Sequence, residues 1–157
     1  MSEILYRKAA AADAEALTAM RRAMFYESRD DAFVMPEELA AQNAAFIARA
    51  IRGENAAVWV AADGGEIAAM GFLAFFVMSP NEYCLTGKTA YLDAFYTIPS
   101  HRRRGIATRL LSRLVNEAKE RQTGRIILNP TDMGRPLYEK AGFKPWSEAL
   151  VLFPEIK

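Results

Sequence analysis

One stretch constrains the fold more than any other: Tyr91 to Arg121, YLDAFYTIPSHRRRGIATRLLSRLVNEAKER. Tyr91–Ile98 is rich in aromatic and β-branched residues, which suit a pleated, half-buried strand. Pro99 and Ser100 stop it, because proline has no N–H to give to a ladder. From Ile106 the apolar residues fall at Ile106, Leu110, Leu111, Leu114, Val115 and Ala118, the spacing of one helical face. Between strand and helix lies Arg102-Arg103-Arg104-Gly105. Unpaired backbone N–H groups leave the start of such a helix, and its dipole adds partial positive charge there. With three arginines beside it, this junction suits a phosphorylated ligand. The Ile106–Arg121 helix also reads as a crossover. The next strand, Arg125–Asn129, is therefore expected to lie parallel to Tyr91–Ile98, since antiparallel neighbours need no crossover.

The rest of the chain supplies layers around that unit. Ile4–Ala9 reads as a strand. Asp13 is a plausible N-cap for a helix from Ala14 to about Glu27, with Leu17, Met20 and Met24 on one face. Pro36 opens a second helix at a favoured first position. Leu39, Phe46, Ile47, Ala50 and Ile51 form its apolar stripe, and Gly53 ends it. Ala56–Ala62 and Glu66–Val77 flank Asp63-Gly64-Gly65, a hairpin signal. Ser79–Lys88 is a loop. After Arg125–Asn129, Gly134–Ala141 reads as a short helix, and Phe143–Trp146 and Glu148–Phe153 as closing strands. The order β-α-α-β-β-β-α-β-α-β-β predicts a mixed α/β (α+β) fold, a mostly antiparallel sheet with one parallel pair, flanked by helices.

With 157 residues the chain suits one domain spanning 1–157. A net charge of +1 supplies no field to attract nucleic acid or a membrane. The arginine run lacks interleaved aromatics, so nucleic-acid binding through residues 101–104 is a remote reading. Apolar runs are too short to span a membrane, and MSEILYRKAA is not a signal peptide. Cys84 is the only cysteine, so no internal disulfide forms. These features together fit the cytoplasm. The only histidine, His101, is expected at the surface and excludes a two-histidine metal site. The G-x-G-x-x-G and G-K-[ST] signatures of dinucleotide and P-loop sites are missing.

The motif Arg102-x-x-Gly105-x-Ala107, after a strand and at a helix start, resembles the (Q/R)-x-x-G-x-(G/A) motif of the GNAT superfamily of acyl-CoA-dependent N-acetyltransferases. Phe95-Tyr96-Thr97-Ile98-Pro99 and Gly134-Arg135-Pro136-Leu137-Tyr138-Glu139-Lys140-Ala141-Gly142-Phe143 also resemble that family. The specific part of the match runs from about Tyr91 to Phe143. The resemblance implies acetyl-CoA as co-substrate and no metal, with the N–H groups of Arg102, Arg103, Arg104, Gly105, Ile106, Ala107 and Thr108 around the pyrophosphate. The family often has glycine where Arg103 stands. Phe95, Tyr96 and Thr97 would lie on a bulged strand that pairs with the pantetheine arm. One N–H there would polarise the thioester carbonyl, a contribution of about 2.7–4 kcal/mol in other enzymes. Tyr138 would protonate the leaving thiolate. Asn129 reads either as a contact to the cofactor arm or as a turn residue before Pro130. A homodimer is common in the family.

The implied activity is direct acetyl transfer, in a ternary complex, to a primary amine of a small molecule or peptide. The alternative is a GNAT-fold protein that binds acyl-CoA without transferring the acetyl group. What separates them is a general base, because an amine is mostly protonated at neutral pH. Candidates are Asp93, Glu27, Asp30 and Tyr83. Asp93 is preferred, since a carboxylate on a central strand needs a partner or a function. Cys84 has nothing beside it in sequence to activate it. Phe25, Tyr26, Phe33, Phe76 and Tyr83 suggest an acceptor pocket with aromatic walls.

Overall fold

The computed structural model describes residues 2–146 and 149–154. Five strands form one sheet in the order β1 (Ile4–Lys8), β2 (Ala56–Asp63), β3 (Glu66–Val77), β4 (Lys88–Thr97) and β5 (Arg125–Ile127). All neighbours are antiparallel except β4 and β5, which are parallel, as the crossover requires. Helices α1 (Ala14–Ser28) and α2 (Glu37–Ile51) cover one face. Helix α3 (Ile106–Glu120) covers the other, with residues of the short α4 (Arg135–Lys140) packed at its margin.

The two faces are packed differently. Toward α1 and α2, β2 and β3 send Val58, Val60, Ile67, Met70 and Phe72 against Leu17, Met20, Ile47 and Ala50. Toward α3 they send mostly alanines: Ala57, Ala61, Ala68 and Ala69, joined by Ala90 of β4. Small residues let α3 lie close, and its Leu110, Leu111 and Leu114 fill the layer. Gly71 takes this to its limit: a Cβ there would lie 2.4 Å from Leu114 Cδ1. Burying each such leucine contributes about 1.5–3 kcal/mol. Beneath the same helix, the buried Glu117 accepts from Lys8 Nζ (3.1 Å), Trp59 Nε1 (3.1 Å) and Arg121 Nε (2.9 Å). Burial works against its charge, but these donors outweigh it and hold its carboxyl below the usual carboxylate range.

Several boundaries differ from those expected. Pro36 is the N-cap of α2 rather than its first residue. Asp13 precedes α1 but makes no side-chain cap to it; its carboxylate takes Arg7 and the N–H of Ala10 instead. β4 begins at Lys88, because residues 88–91 pair with Val77–Ala74 of β3. β5 stops at Ile127, so Leu128 and Asn129 leave the sheet.

The expected closing strands are absent among the described residues. Phe143–Trp146 is not a strand: Phe143 N donates to Tyr138 O, its ring packs on Tyr138, and Pro145 has no N–H for a ladder. Ala149–Phe153 is not a strand either, and Leu150 to Phe153 are exposed. Glu148 lies outside the described residues.

Candidate active site

The site begins with an irregularity in β4. Gly71 of β3 faces Phe95, and Leu73 faces Leu92, so Asp93 and Ala94 together oppose Phe72. This extra residue is a bulge, which bends a strand and increases its twist. It also inverts the alternation of side chains. Ala90 and Leu92 pack on the α3 side; past the bulge, Ala94 and Tyr96 pack on the α1/α2 side and Phe95 on the α3 side. Meanwhile the parallel pairing of β4 with β5 ends at Tyr91↔Ile127, although β4 runs on to Thr97. The strands part, and a cleft of about 440 Å³ opens between them.

Most of the residues singled out from the sequence meet in this cleft. Asp93, Phe95, Tyr96 and Thr97 line it from β4; Arg102, Arg103, Gly105, Ile106, Ala107 and Thr108 from the loop and helix start; Asn129 and Tyr138 from beyond β5. Arg104 is not on its wall. Its guanidinium is 3.3 Å from Asp63 Oδ2.

At one end the cradle is made of backbone. Gly105 caps α3 with φ +76°, and a Cβ there would meet nothing within 4 Å. Arg109 N is the first helical N–H to bond within the helix, to Gly105 O at 3.3 Å. The N–H groups of Ile106, Ala107 and Thr108 precede it, at the positive end of the helix dipole. Arg103 also has a left-handed backbone, φ +63°, a conformation costing a non-glycine residue about 1–2 kcal/mol. That conformation suits the glycine frequent there in the resembled family.

The arginine side chains do something other than expected. Arg102 turns to the protein: Nε donates to Thr97 O (2.9 Å), and its two terminal nitrogens reach Glu27 at 2.6 and 2.8 Å. It also lies over the Tyr96 ring. Two of the three arginines are thus committed to carboxylates, which leaves Arg103 and the backbone N–H groups on this wall. His101 is likewise buried rather than superficial, between Ser100 Oγ (2.9 Å) and Asp63 Oδ2 (3.1 Å). A carboxylate only accepts, so Nε2 carries a proton there.

Tyr138 stands edge-on to Phe95 and Phe143, with centroids 6.1 and 5.9 Å away. Burial pushes its hydroxyl up to about 12, so it stays protonated and can donate. Asn129 Nδ2 donates to Tyr91 Oη at 2.9 Å, which leaves its carbonyl oxygen for the cleft.

The base candidates separate by geometry. The hydrogen bond from Arg102 holds the Glu27 carboxyl below the usual range, making it a poor base. Asp30 Oδ1 accepts from Ala32 N. Tyr83 is exposed against Trp146 and lies off the cleft wall. Asp93 alone of the four sits at the bulge, exposed to the cleft. Cys84 is buried, its thiol 3.5 Å from Lys88 O. Of the expected aromatic walls, Phe25, Tyr26 and Phe33 form one cluster beside α1. Phe76 and Tyr83 are not part of it. Among the described residues no three His, Cys, Asp or Glu side chains gather as a metal site, and no helix is long and apolar enough to cross a membrane.

Residues 22–143 match the model of the acetyltransferase (GNAT) family. The chain belongs to the GNAT family. A solved structure of a predicted acetyltransferase from Clostridium acetobutylicum, with acetyl-CoA, is 31% identical over 96% of each chain, with a TM-score of 0.84. A GCN5-related N-acetyltransferase from Ralstonia eutropha is 29% identical over 96% of this chain and 99% of that one, with a TM-score of 0.82. A ribosomal-protein-alanine N-acetyltransferase from Brucella melitensis, at 20% identity and a TM-score of 0.69, shares the fold. No curated protein sequence matches. The five-stranded sheet with its parallel β4–β5 pair and flanking helices is the GNAT architecture, and this GNAT enzyme carries its cleft where those two strands part.

One residue of the cleft wall and one behind it were not legible in the sequence. Met24 lines it, although its spacing from Leu17 and Met20 marked it only as core. Arg21, one turn earlier, places Nη1 3.5 Å from Met24 Sδ and lies within electrostatic reach of Asp93. Nothing in the local sequence separates this arginine from an ordinary solvated one.

Proposed function

We propose that this GNAT enzyme transfers an acetyl group from acetyl-CoA directly to a primary amine bound at the Asp93 end of the cleft. The observation that carries the reading is the parting of β4 from β5 beside the bulge. It places a strand with free backbone groups, a helix N-terminus and a protonated tyrosine around one cavity. The cradle fits acetyl-CoA chemically: Gly105 leaves room for close approach of an anion to backbone N–H groups. The β4 edge can pair with an amide-bearing arm.

Acetyl-CoA supplies an activated acyl group on a thiol leaving group. The chain supplies the rest. The N–H groups of Ile106, Ala107 and Thr108 hold the pyrophosphate. Backbone donors of Phe95 and Thr97, on the edge of β4 away from β3, orient the arm and stabilise charge developing on the carbonyl oxygen, while the Tyr96 N–H faces β3. Asp93 takes a proton from the amine, directly or through water, so that the nitrogen lone pair can attack. Tyr138 gives its proton to the sulfur as the C–S bond breaks. Arg102 holds the loop to α1 through Glu27 rather than contacting phosphate.

The test is thiol release from acetyl-CoA across amino acids, polyamines, aminoglycosides and peptides, with acetyl-CoA binding measured by calorimetry. Release with at least one amine class, abolished in Asp93→Asn with acetyl-CoA affinity unchanged, is the expected result. Binding without release from any amine would overturn it in favour of an acyl-CoA-binding protein.

A further inference from the structure

Arg21 and Phe25 stand four residues apart on one face of α1, and Arg29 is the extended residue that caps its C-terminus. The Arg21 guanidinium lies 4.6 Å from the Phe25 centroid, and that of Arg29 lies 4.7 Å from it and 5.8 Å from the Phe33 centroid. Stacking on aromatic faces fixes where the two cations sit. Arg21 is further fixed by α2, since its Nε donates to Asn43 Oδ1 at 3.2 Å. Its Nη1 touches Met24 Sδ, and Met24 lines the cleft beside Asp93.

Among the described residues neither guanidinium forms an ion pair with a carboxylate, whereas Arg7, Arg102, Arg104 and Arg121 all do. Arg21 is half-buried as well, and burial pulls its pKa down against the attraction of Asp93. Asp93 attracts it but forms no ion pair with it, so the partly desolvated cation still gains from an oxyanion in direct contact. A guanidinium has five N–H donors in a planar fork. Asn43 takes one and Met24 sulfur makes only a weak acceptor, so an edge that matches an oxyanion remains.

We infer that the acceptor is an amine that also carries an oxyanion, held by Arg21 with support from Arg29 while Asp93 receives the amino group. The inference rests on the acetyl-transfer reading above and narrows its acceptor to a class. The opposite charges of Arg21, behind Met24, and of Asp93 then orient such a molecule with its nitrogen toward the thioester. Diamines and aminoglycosides would bring positive charge to the arginines and bind poorly. An amino acid and a phosphorylated amino alcohol share the required chemistry and differ in the oxyanion.

The experiment compares thiol release for free amino acids with their carboxamides, for phosphoethanolamine with ethanolamine, and for diamines. Wild type should favour the anionic member of at least one pair by 10-fold or more in kcat/KM. Which pair discriminates tells carboxylate from phosphate. Arg21→Gln should raise KM for the anionic acceptor on the order of 10- to 100-fold, the range for a lost charged hydrogen bond. KM for acetyl-CoA should be unchanged and the preference over the neutral partner lost. Arg29→Gln, at an exposed position, should shift KM in the same direction by less, which keeps the test alive if Arg21→Gln fails to fold. Equal or better turnover of the neutral and cationic amines would overturn the inference and leave the acetyl-transfer reading standing. So would an unchanged acceptor KM in a folded Arg21→Gln enzyme or, where that variant fails to fold, in Arg29→Gln. Acetyl-CoA binding with no release from any amine would overturn both.

Discussion

At one end of the cleft, residues 102–108 offer backbone: a left-handed Gly105, a left-handed Arg103 and the first N–H groups of α3. At the other end, Asp93 from the bulge and Met24 from α1 offer side chains brought together from distant elements, with Arg21 against Met24. The first end is made by consecutive residues and needs only the local fold. The second exists only when α1 lies across the sheet and β4 is bulged. On the proposed reading, recognition of the co-substrate is written in a short motif, whereas recognition of the acceptor depends on the packing of whole elements. Tyr138, reaching between them from α4, should answer to neither end alone.

The largest effect is expected there. Tyr138→Phe removes the hydroxyl and keeps the ring against Phe95 and Phe143. If that hydroxyl protonates the leaving thiolate, kcat should fall on the order of 10²-fold. Affinity for acetyl-CoA should stay nearly constant, because the interaction strengthens only as charge develops on sulfur. Rapid-mixing kinetics that resolve the chemical step provide the check. Unchanged kcat with chemistry rate-limiting would make the tyrosine a packing residue.

At the backbone end, Gly105→Val should weaken acetyl-CoA binding by about 10-fold or more, because a branched side chain at φ +76° both strains the loop and screens its N–H groups. Gly105→Ala carries a comparable backbone strain with less obstruction. Calorimetry on the two variants therefore separates strain from blocked approach. Equal affinities for wild type and the valine variant would remove the phosphate site from this loop.

The Glu27–Arg102 pair links the two ends, and its contribution should be smaller. Both side chains are about one-third exposed, so solvent screening limits the pair to about 1 kcal/mol or less. Glu27→Gln should lower the melting temperature by a few degrees. The pH dependence has a definite sign. Arg102 holds the folded Glu27 carboxyl below its ordinary value. Its stabilising contribution is therefore fully present above the ordinary carboxylate pKa of about 4.3 and disappears as pH falls through the folded value. The melting temperatures of wild type and Glu27→Gln should differ at neutral pH and converge in acid.

The smallest expected effect is a gain. Arg103→Gly relieves a left-handed arginine at a cost of about 1–2 kcal/mol, offset by about 0.4–1 kcal/mol from the greater freedom of the unfolded chain. Unfolding in denaturant should show a net stabilisation of about 0.5–1 kcal/mol. A net loss would mean that the Arg103 side chain contributes contacts that outweigh the strain.

Much of this was readable from local pattern. The apolar period of 106–118 marks a helix that must cover a sheet, and a helix between two strands requires the parallel pair that β4 and β5 form. Gly105 at a strand-to-helix junction marks free N–H groups whatever surrounds them. These features depend on residues adjacent in sequence, and backbone geometry alone determines them. The bulge at Asp93–Ala94 left no such trace, because an extra residue becomes visible only against the register of β3. The partners of Arg102, Arg104 and His101 were equally hidden, since Glu27 and Asp63 approach them only after α1 and the β2–β3 hairpin have packed. The closing strands expected within 143–146 and 149–153 show the reverse error: residues suited to a strand leave the outer edge of β5 unpaired among the described residues. The chain by itself determined the backbone cradle and the crossover that frames it. Only the tertiary structure decided which arginines are spoken for, which carboxylate is left in the cleft and which cation lies within its electrostatic reach. Charges choose partners through distances in space, and those distances are set by packing.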